Sequence, residues 1–312
     1  MHPGDFELEW SRSGPGIRLR GSPLWFDAWP DPGAGFLSSL DALAGRRVRG
    51  QVLCHPELAR LLEALRPGVR ALPLAGTIGL GRLRLAARAT GTSPGSSCLL
   101  VERGADRLLY LREGDEASVE REWNGEPGVP VDTLLWCSRP RTSDPEGEGN
   151  GEAVLHSGFL EEAAGGQDRA ICLVLDGLGS ALEMLGRLRE TRRPIRVPPG
   201  IRVLRRAGIR QGLDLPPVRD WNGRSPLPPG AVALWVASGK RTLPRACSLG
   251  EVPWRRVVLS GAGPGLLARA FRAVGAVRLA LSGPGAPVMQ RSLADLGVGA
   301  EVIGPPPDPS LF

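Results

Sequence analysis

Histidine is scarce in this chain of 312 residues: His2, His55 and His156 are the only three. Imidazole is the usual ligand of catalytic transition metals and the usual general base near neutral pH. With three, any mechanism that needs a multi-histidine metal cluster is ruled out. His55 precedes Pro56 and Glu57 and reads as a cap or surface residue at a helix start. A single tyrosine and a single lysine, Lys240, limit phenolate and amine chemistry. Five cysteines, at 54, 98, 137, 172 and 247, form no C-x-x-C pair. That pattern argues against a disulfide framework or a thiolate metal site and fits a reducing cytoplasm. Cys137 and Cys172 lie on apolar strands and read as buried thiols. No G-x-S-x-G occurs, and no histidine sits in a context for Ser-His-Asp catalysis.

Two charged clusters remain. Asp115 stands among Glu113, Glu116, Glu120, Glu122 and Glu126. Carboxylates at this density can hold a hard cation through oxygen, or form a solvated acidic loop. Arg187, Arg189, Arg192, Arg193, Arg196, Arg202, Arg205, Arg206 and Arg210 fall within 24 residues, against one acid, Glu190. Arginine forks bind phosphate oxygens in pairs, so the cluster is read either as a phosphate-contacting surface or as a solubilising face. Arg192, Arg193, Arg196, Arg205 and Arg206 are the candidate nucleic-acid contacts. The net charge of +6 permits such contact without requiring it. Glycine-rich turns at 261–265 and 282–285 precede helical patterns. A glycine turn there can hold an anion, but the prolines remove backbone donors and favour tight structural turns. The eight tryptophans are scattered and suit core and turns better than base stacking.

The elements that position these residues follow from periodicity. Ile17–Arg20, Leu24–Asp27 and Val52–Cys54 read as strands. Leu58, Leu61, Leu62 and Leu65 repeat at helical spacing behind Pro56. Gly81–Ala87 alternates, Ser97–Glu102 and Arg107–Leu111 form a hairpin, and Asp132–Trp136 is a further strand. The polar stretch 142–151 reads as a linker or exposed loop. Beyond it the pattern alternates strand and helix. Strand Ala170–Leu175 precedes a helix with Ala181, Leu182, Leu185 and Leu188 on one face. A short helix at Ile201–Arg206, an irregular 214–230 and strand Val232–Ala237 follow. Then come strand Val257–Ser260, helix Leu266–Val274 closed by Gly275, strand Val277–Leu281, helix Pro287–Leu296 closed by Gly297, and strand Glu301–Ile303. The whole reads as a layered α/β protein. Hydrophobic residues at 42% and charged residues at 23% fit a soluble globular chain, and no apolar run approaches a membrane span. The segment Met1–Trp10 lacks the apolar core of a secretory leader, so a cytoplasmic protein without membrane contact is expected.

Seven segments, in order, resemble a known family. They are Phe26–Pro30; Leu53–Glu57 with Leu61–Leu62; Thr90–Ser96; Leu109–Tyr110 with Gly114–Asp115; Gly179–Glu183; Val258–Ser260 with Pro264–Leu267; and Leu281–Gly283 with Pro287. Together they resemble the β-CASP group of metallo-β-lactamase-fold hydrolases, and most nearly the bacterial ligase-associated DNA exonucleases, which are similar to cleavage-and-polyadenylation endonucleases. The resemblance implies a metallo-β-lactamase-like αββα sandwich from 1–157 and 253–312, with a smaller β-CASP-like α/β insert at 158–252. It also implies a pair of metal ions held by histidines and a bridging aspartate. Here the corresponding positions are Ser38, Leu40, Ala42, Leu43, Thr92, Asp115, Gly261, Ala262 and Ser282. Only Asp115 keeps a ligand type, so neither a metal cofactor nor catalysis is expected. The reading is a non-catalytic homologue that binds nucleic acid or acts as a scaffold in DNA repair or RNA processing, with DNA, RNA or an active relative as partner. Two alternatives stay open: a metal-dependent nuclease with an oxygen-ligand site around Asp115, and a pure protein-interaction module.

Overall fold

The computed structural model describes residues 6–10, 16–29, 33–43, 48, 50–112, 130–137, 153–154, 168–237, 243–248, 250–258, 263–283 and 285–304. They form a mixed α/β fold built on three sheets. The first sheet runs in chain order: β1 (Leu8–Trp10), β2 (Ile17–Leu19), β3 (Leu24–Phe26), β4 (Ala34–Leu37), β5 (Gln51–Cys54) and β6 (Ala71–Pro73). The β1–β3 strands are antiparallel, and β3 to β6 run parallel. Helix α1 (Pro56–Leu65) follows β5.

The second sheet has the order β19-β18-β11-β10-β9-β8-β7. Its members are β7 (Thr77–Leu80), β8 (Leu83–Ala89), β9 (Ser97–Arg103), β10 (Asp106–Leu111), β11 (Thr133–Cys137), β18 (Arg278–Ser282) and β19 (Glu301–Ile303). An antiparallel meander from β7 to β10 thus joins a parallel half. Strands from the two ends of the chain share this sheet, so β11 lies directly beside β18.

Side-chain alternation decides which face each sheet buries. Phe36 and Leu53 of the first sheet meet Leu108, Tyr110, Leu135 and Ala280 of the second in one core. The intervening residues Leu37, Val52 and Cys54 point the other way, onto Leu58, Leu61 and Leu62 of α1. In the second sheet Leu109, Leu111, Leu134, Trp136, Leu279 and Leu281 face α5 (Pro264–Ala273) and α6 (Ala286–Ala294). Both helices end at glycines with positive φ, Gly275 at 63° and Gly297 at 71°, the left-handed closure glycine permits most readily.

The third sheet is parallel throughout, in the order β12-β17-β13-β16-β14-β15. It comprises β12 (Ala153–Val154), β13 (Ile171–Leu175), β14 (Ile195–Val197), β15 (Val218–Asp220), β16 (Val232–Val236) and β17 (Trp254–Val258). Its outermost β12 and the adjacent β17 lie just beyond the 158–252 limits drawn from sequence, because both pair into this sheet rather than the other two. Helices α2 (Leu178–Arg187) and α3 (Pro199–Arg210) cover one face. The short α4 (Arg245–Ser248) and Trp221 cover the other, and Trp254 of β17 packs there. One apolar cluster joins α1, α2, α3 and the third sheet, so α1 lies between the first and third sheets.

The elements differ from expectation in detail. Helix α3 extends beyond the expected Ile201–Arg206 at both ends, with Pro199 in its first turn. The segment read as irregular contains β15. Strand β17 begins three residues before the expected start. The stretch 142–151 lies outside the described residues. Among the described residues no helix is long and apolar enough to cross a membrane.

Candidate functional site

In parallel α/β sheets the carboxyl ends of the strands are the usual place for ligands. Here Asp27 follows β3, Ser38 follows β4, His55 follows β5, Arg112 follows β10, and Ser282 ends β18. The β9 strand is antiparallel to β10, which puts its first residue, Ser97, at the same edge. Ser97 N–H donates to the Ser38 carbonyl at 2.8 Å and ties the two sheets there.

Asp27 is the centre of this edge. Its φ of +48° is the only positive value at a non-glycine residue among those described, in the region aspartate tolerates better than most side chains. Its Oδ1 accepts Ser38 N–H at 2.8 Å. Its Oδ2 accepts Ser38 Oγ at 2.7 Å, Tyr110 OH at 2.6 Å and Arg112 Nη1 at 3.0 Å. The Asp27 and Arg112 side chains are 3% and 10% exposed. Burial first, then the Asp27 charge, pushes the Tyr110 hydroxyl well above its ordinary pKa, so Tyr110 is a fixed donor.

A second buried knot lies in the turn between β8 and β9. Gly91 and Gly95 have φ of 71° and 77°, and Ser96 N–H closes the turn on the Ser93 carbonyl at 2.9 Å. Thr92 Oγ1 lies 3.1 Å from Thr90 Oγ1 and 2.9 Å from Ser96 Oγ. Thr90 Oγ1 donates to Ser96 Oγ at 2.9 Å. A Cβ on Gly95 would lie 2.9 Å from the Leu58 backbone nitrogen, so this turn rests against the first turn of α1.

A third contact joins the first and third sheets. The turn Leu40–Leu43 carries Asp41. Asp41 Oδ1 accepts Gly179 N–H at 2.5 Å, and Oδ2 accepts Ser180 Oγ at 2.7 Å. A carboxylate from one body therefore caps α2 in the other. Nothing in the sequence reading singled out Asp41. The available signal was an acid between Leu40 and the Ala42-Leu43 pair, which must find donors if buried.

The positions implied by the resemblance can now be tested against a metal pair. Leu40, Ala42 and Leu43 are in the apolar cluster, each at most 2% exposed. Ser38 spends its hydroxyl proton on Asp27. Thr92 belongs to the hydroxyl knot, and Ser282 is fully buried. Hydrocarbon and aliphatic hydroxyls do not make a zinc-type ligand set. Among the described residues no three His, Cys, Asp or Glu side chains converge as metal ligands. These residues do not fit the pair. Asp115, Gly261, Ala262 and His156 lie outside the described residues.

Cys54, Cys172 and His55 add no reactive centre. Burial pushes the Cys54 thiol up to about 12. Cys172 and Cys247 hydrogen-bond to each other; this bond and burial push the Cys172 thiol well above the usual range, and the same bond pulls Cys247 down against the effect of burial. Cys172 is buried as expected, whereas Cys137 is only partly so. His55 is half-buried and its pKa is lowered, first by burial, with Glu57 opposing and Arg60 adding to the effect. The fold thus favours the neutral ring. The stability this contributes is present above the ordinary imidazole pKa of about 6.5 and is lost as pH falls through the lower folded value. Thermal melts between about pH 7 and 5 should show a shallower decline for His55→Gln than for wild type.

The arginine cluster divides. Arg193 donates to the carbonyls of Gly230 at 2.7 Å and Arg169 at 2.6 Å. Burial pulls its pKa down. Arg205 donates to the Pro216 and Leu215 carbonyls. Both guanidinium groups brace the backbone. Arg187 pairs with Glu183, Arg189 with Glu190, and Arg202 with Asp220. Arg196, half-buried, sits opposite Arg219 on the neighbouring strand. Arg192, Arg206 and Arg210 are exposed. Arg206 and Arg210 are four residues apart on α3 and so share its outer face.

No protein-family model matches the chain, and no curated protein matches it. Solved structures do. One is a protein of unknown function from Enterococcus faecalis, with a TM-score of 0.56, 13% identity, and coverage of 98% of this chain and 85% of that one. This establishes a shared overall fold. A mutant of the CmlA beta-hydroxylase aligns over 97% of this chain and 53% of its own length, at 13% identity and a TM-score of 0.44.

Proposed function

We propose that the chain is a non-catalytic relative of the metallo-β-lactamase-fold, β-CASP-type nucleases, and that it binds nucleic acid or acts as a scaffold in DNA repair or RNA processing. In this reading the first two sheets with α1, α5 and α6 are the αββα sandwich, and the third sheet is the β-CASP-like insert. One observation carries it. The described positions where the family would place metal ligands are built into the interior, with packed hydrocarbon at Leu40, Ala42 and Leu43 and hydrogen-bonded hydroxyls at Ser38 and Thr92. The hydrogen bonds that would orient such a loop, from Ser38 to Asp27, are present without the ligands.

The binding surface on this reading is the exposed face of α3 with the segment around β14, where Arg192, Arg206 and Arg210 are exposed and Arg196 is half-buried. The test is salt-dependent binding to single- and double-stranded DNA and RNA. Changing Arg192, Arg206 and Arg210 together to Ala should weaken binding and flatten the dependence of log affinity on log salt by about 2–3. Arg193 and Arg205 are left intact, because their loss would disturb the fold. Unchanged affinity would remove the arginines from the account. Magnesium- or manganese-stimulated cleavage lost in Asp115→Ala would replace the reading with the oxygen-ligand nuclease.

A further inference from the structure

The start of α2 is closed by a carboxylate from another sheet, and a buried hydroxyl beside it goes unused. The helix opens Gly177-Leu178-Gly179-Ser180, with no acid in its own first turn. Its positive end is met instead by Asp41, which precedes it by well over a hundred residues. Gly179 N–H reaches Oδ1 at 2.5 Å, Ser180 N–H is 3.3 Å from each oxygen, and Ser180 Oγ donates to Oδ2 at 2.7 Å. The carboxylate lies so close that a Cβ on Gly177 would be 2.1 Å from Oδ1.

Ser93 reaches the same spot from the turn between β8 and β9. It is 6% exposed. Its Oγ is buried, has no hydrogen-bond partner, and lies 3.0 Å from where a Cβ on Gly179 would stand, as does Asp41 Oδ1. A buried hydroxyl without a partner is costly. A carboxylate offers two oxygens, whereas a phosphate group offers more and spreads them tetrahedrally. Two backbone N–H groups at a helix start, flanked by two serine hydroxyls, suit the larger anion.

We propose that the α2 N-terminus, with Ser180 and Ser93, is an oxyanion site of phosphate class, and that Asp41 is its built-in competitor. The site rests on three separate segments of the chain and does not depend on nucleic-acid binding. Asp41 closes it in the resting protein and at the same time joins the first and third sheets.

The test removes the competitor and supplies inorganic phosphate. Asp41→Ala is melted in potassium phosphate and in potassium chloride of equal ionic strength, beside wild type. Phosphate strengthens apolar burial in any protein, and wild type measures that general effect. Beyond it, Asp41→Ala should gain about 2 °C at phosphate ten times its dissociation constant. Adding Ser93→Ala should raise the phosphate concentration required about fivefold. Equal responses in wild type and Asp41→Ala overturn the proposal. If Asp41→Ala does not fold in chloride, refolding yield decides: recovery in phosphate alone supports the site, and equal yields in both salts overturn it. Asp41→Asn keeps the shape and loses the charge, and a smaller phosphate-specific gain is expected there.

Discussion

Asp27→Ala is expected to lose about 3–5 kcal/mol of folding stability, the range for removing one partner of a buried ion pair. The change removes the carboxylate that lies 3.0 Å from Arg112 Nη1, where the Arg112 side chain is 10% exposed. It also removes the acceptor of Tyr110 OH, Ser38 Oγ and Ser38 N–H at once. Against a typical stability of about 5–15 kcal/mol, much of the variant should be unfolded at moderate temperature. Chemical denaturation is the measurement. Asp27→Asn keeps an acceptor and should lose less. The double variant Asp27→Ala, Arg112→Ala should cost less than the sum of the two singles, because the two side chains interact directly. Strict additivity would mean that the pair is not coupled, and that the turn at Asp27 is held by its backbone alone.

Gly35→Ala should be comparably damaging for a purely steric reason. A Cβ on Gly35 would stand 1.9 Å from the Ala28 carbonyl oxygen and 2.4 Å from Trp29 Cδ1. Neither neighbour can retreat cheaply. Ala28 directly follows Asp27, whose side chain is anchored in both sheets, and Trp29 is 5% exposed within the apolar cluster. Backbone would have to move in a packed interior, which places the cost at or above the roughly 1–3 kcal/mol of ordinary overpacking. Gly79 makes the control. It lies in β7, has no positive φ, and a Cβ there meets nothing within 4 Å. Gly79→Ala should be neutral or slightly stabilising. A folded, unperturbed Gly35→Ala would contradict the close approach of the 27–29 segment to β4.

Periodicity and punctuation made most of the larger elements legible in sequence. Pro56 and the leucine repeat mark α1, and Gly275 and Gly297 close α5 and α6 where expected. Of the three-residue strands, β2, β3 and β19 were read, but β1, β6 and β14 were not, because so short a run carries no period and is fixed largely by its partners. Helix α3 was underestimated because Gly200 and Gly208 weaken its propensity. Of the site, the polar and apolar character of Ser38, Leu40, Ala42, Leu43 and Thr92 could be read directly. Their partners could not, since each contact joins distant segments. Asp27 meets Tyr110 across 83 positions, and Asp41 meets Ser180 across 139. Charge density located the arginines, but not the carbonyls that occupy Arg193 and Arg205.

Helix α1 serves two masters: Leu58, Leu61 and Leu62 belong to the cluster that also holds the third sheet's Leu173, Val232 and Leu234. Excising residues 158–252 would therefore strip the cover from the remainder's greasy flank. Melting should be a single cooperative event across the whole polypeptide, and neither portion should persist as a soluble fragment by itself.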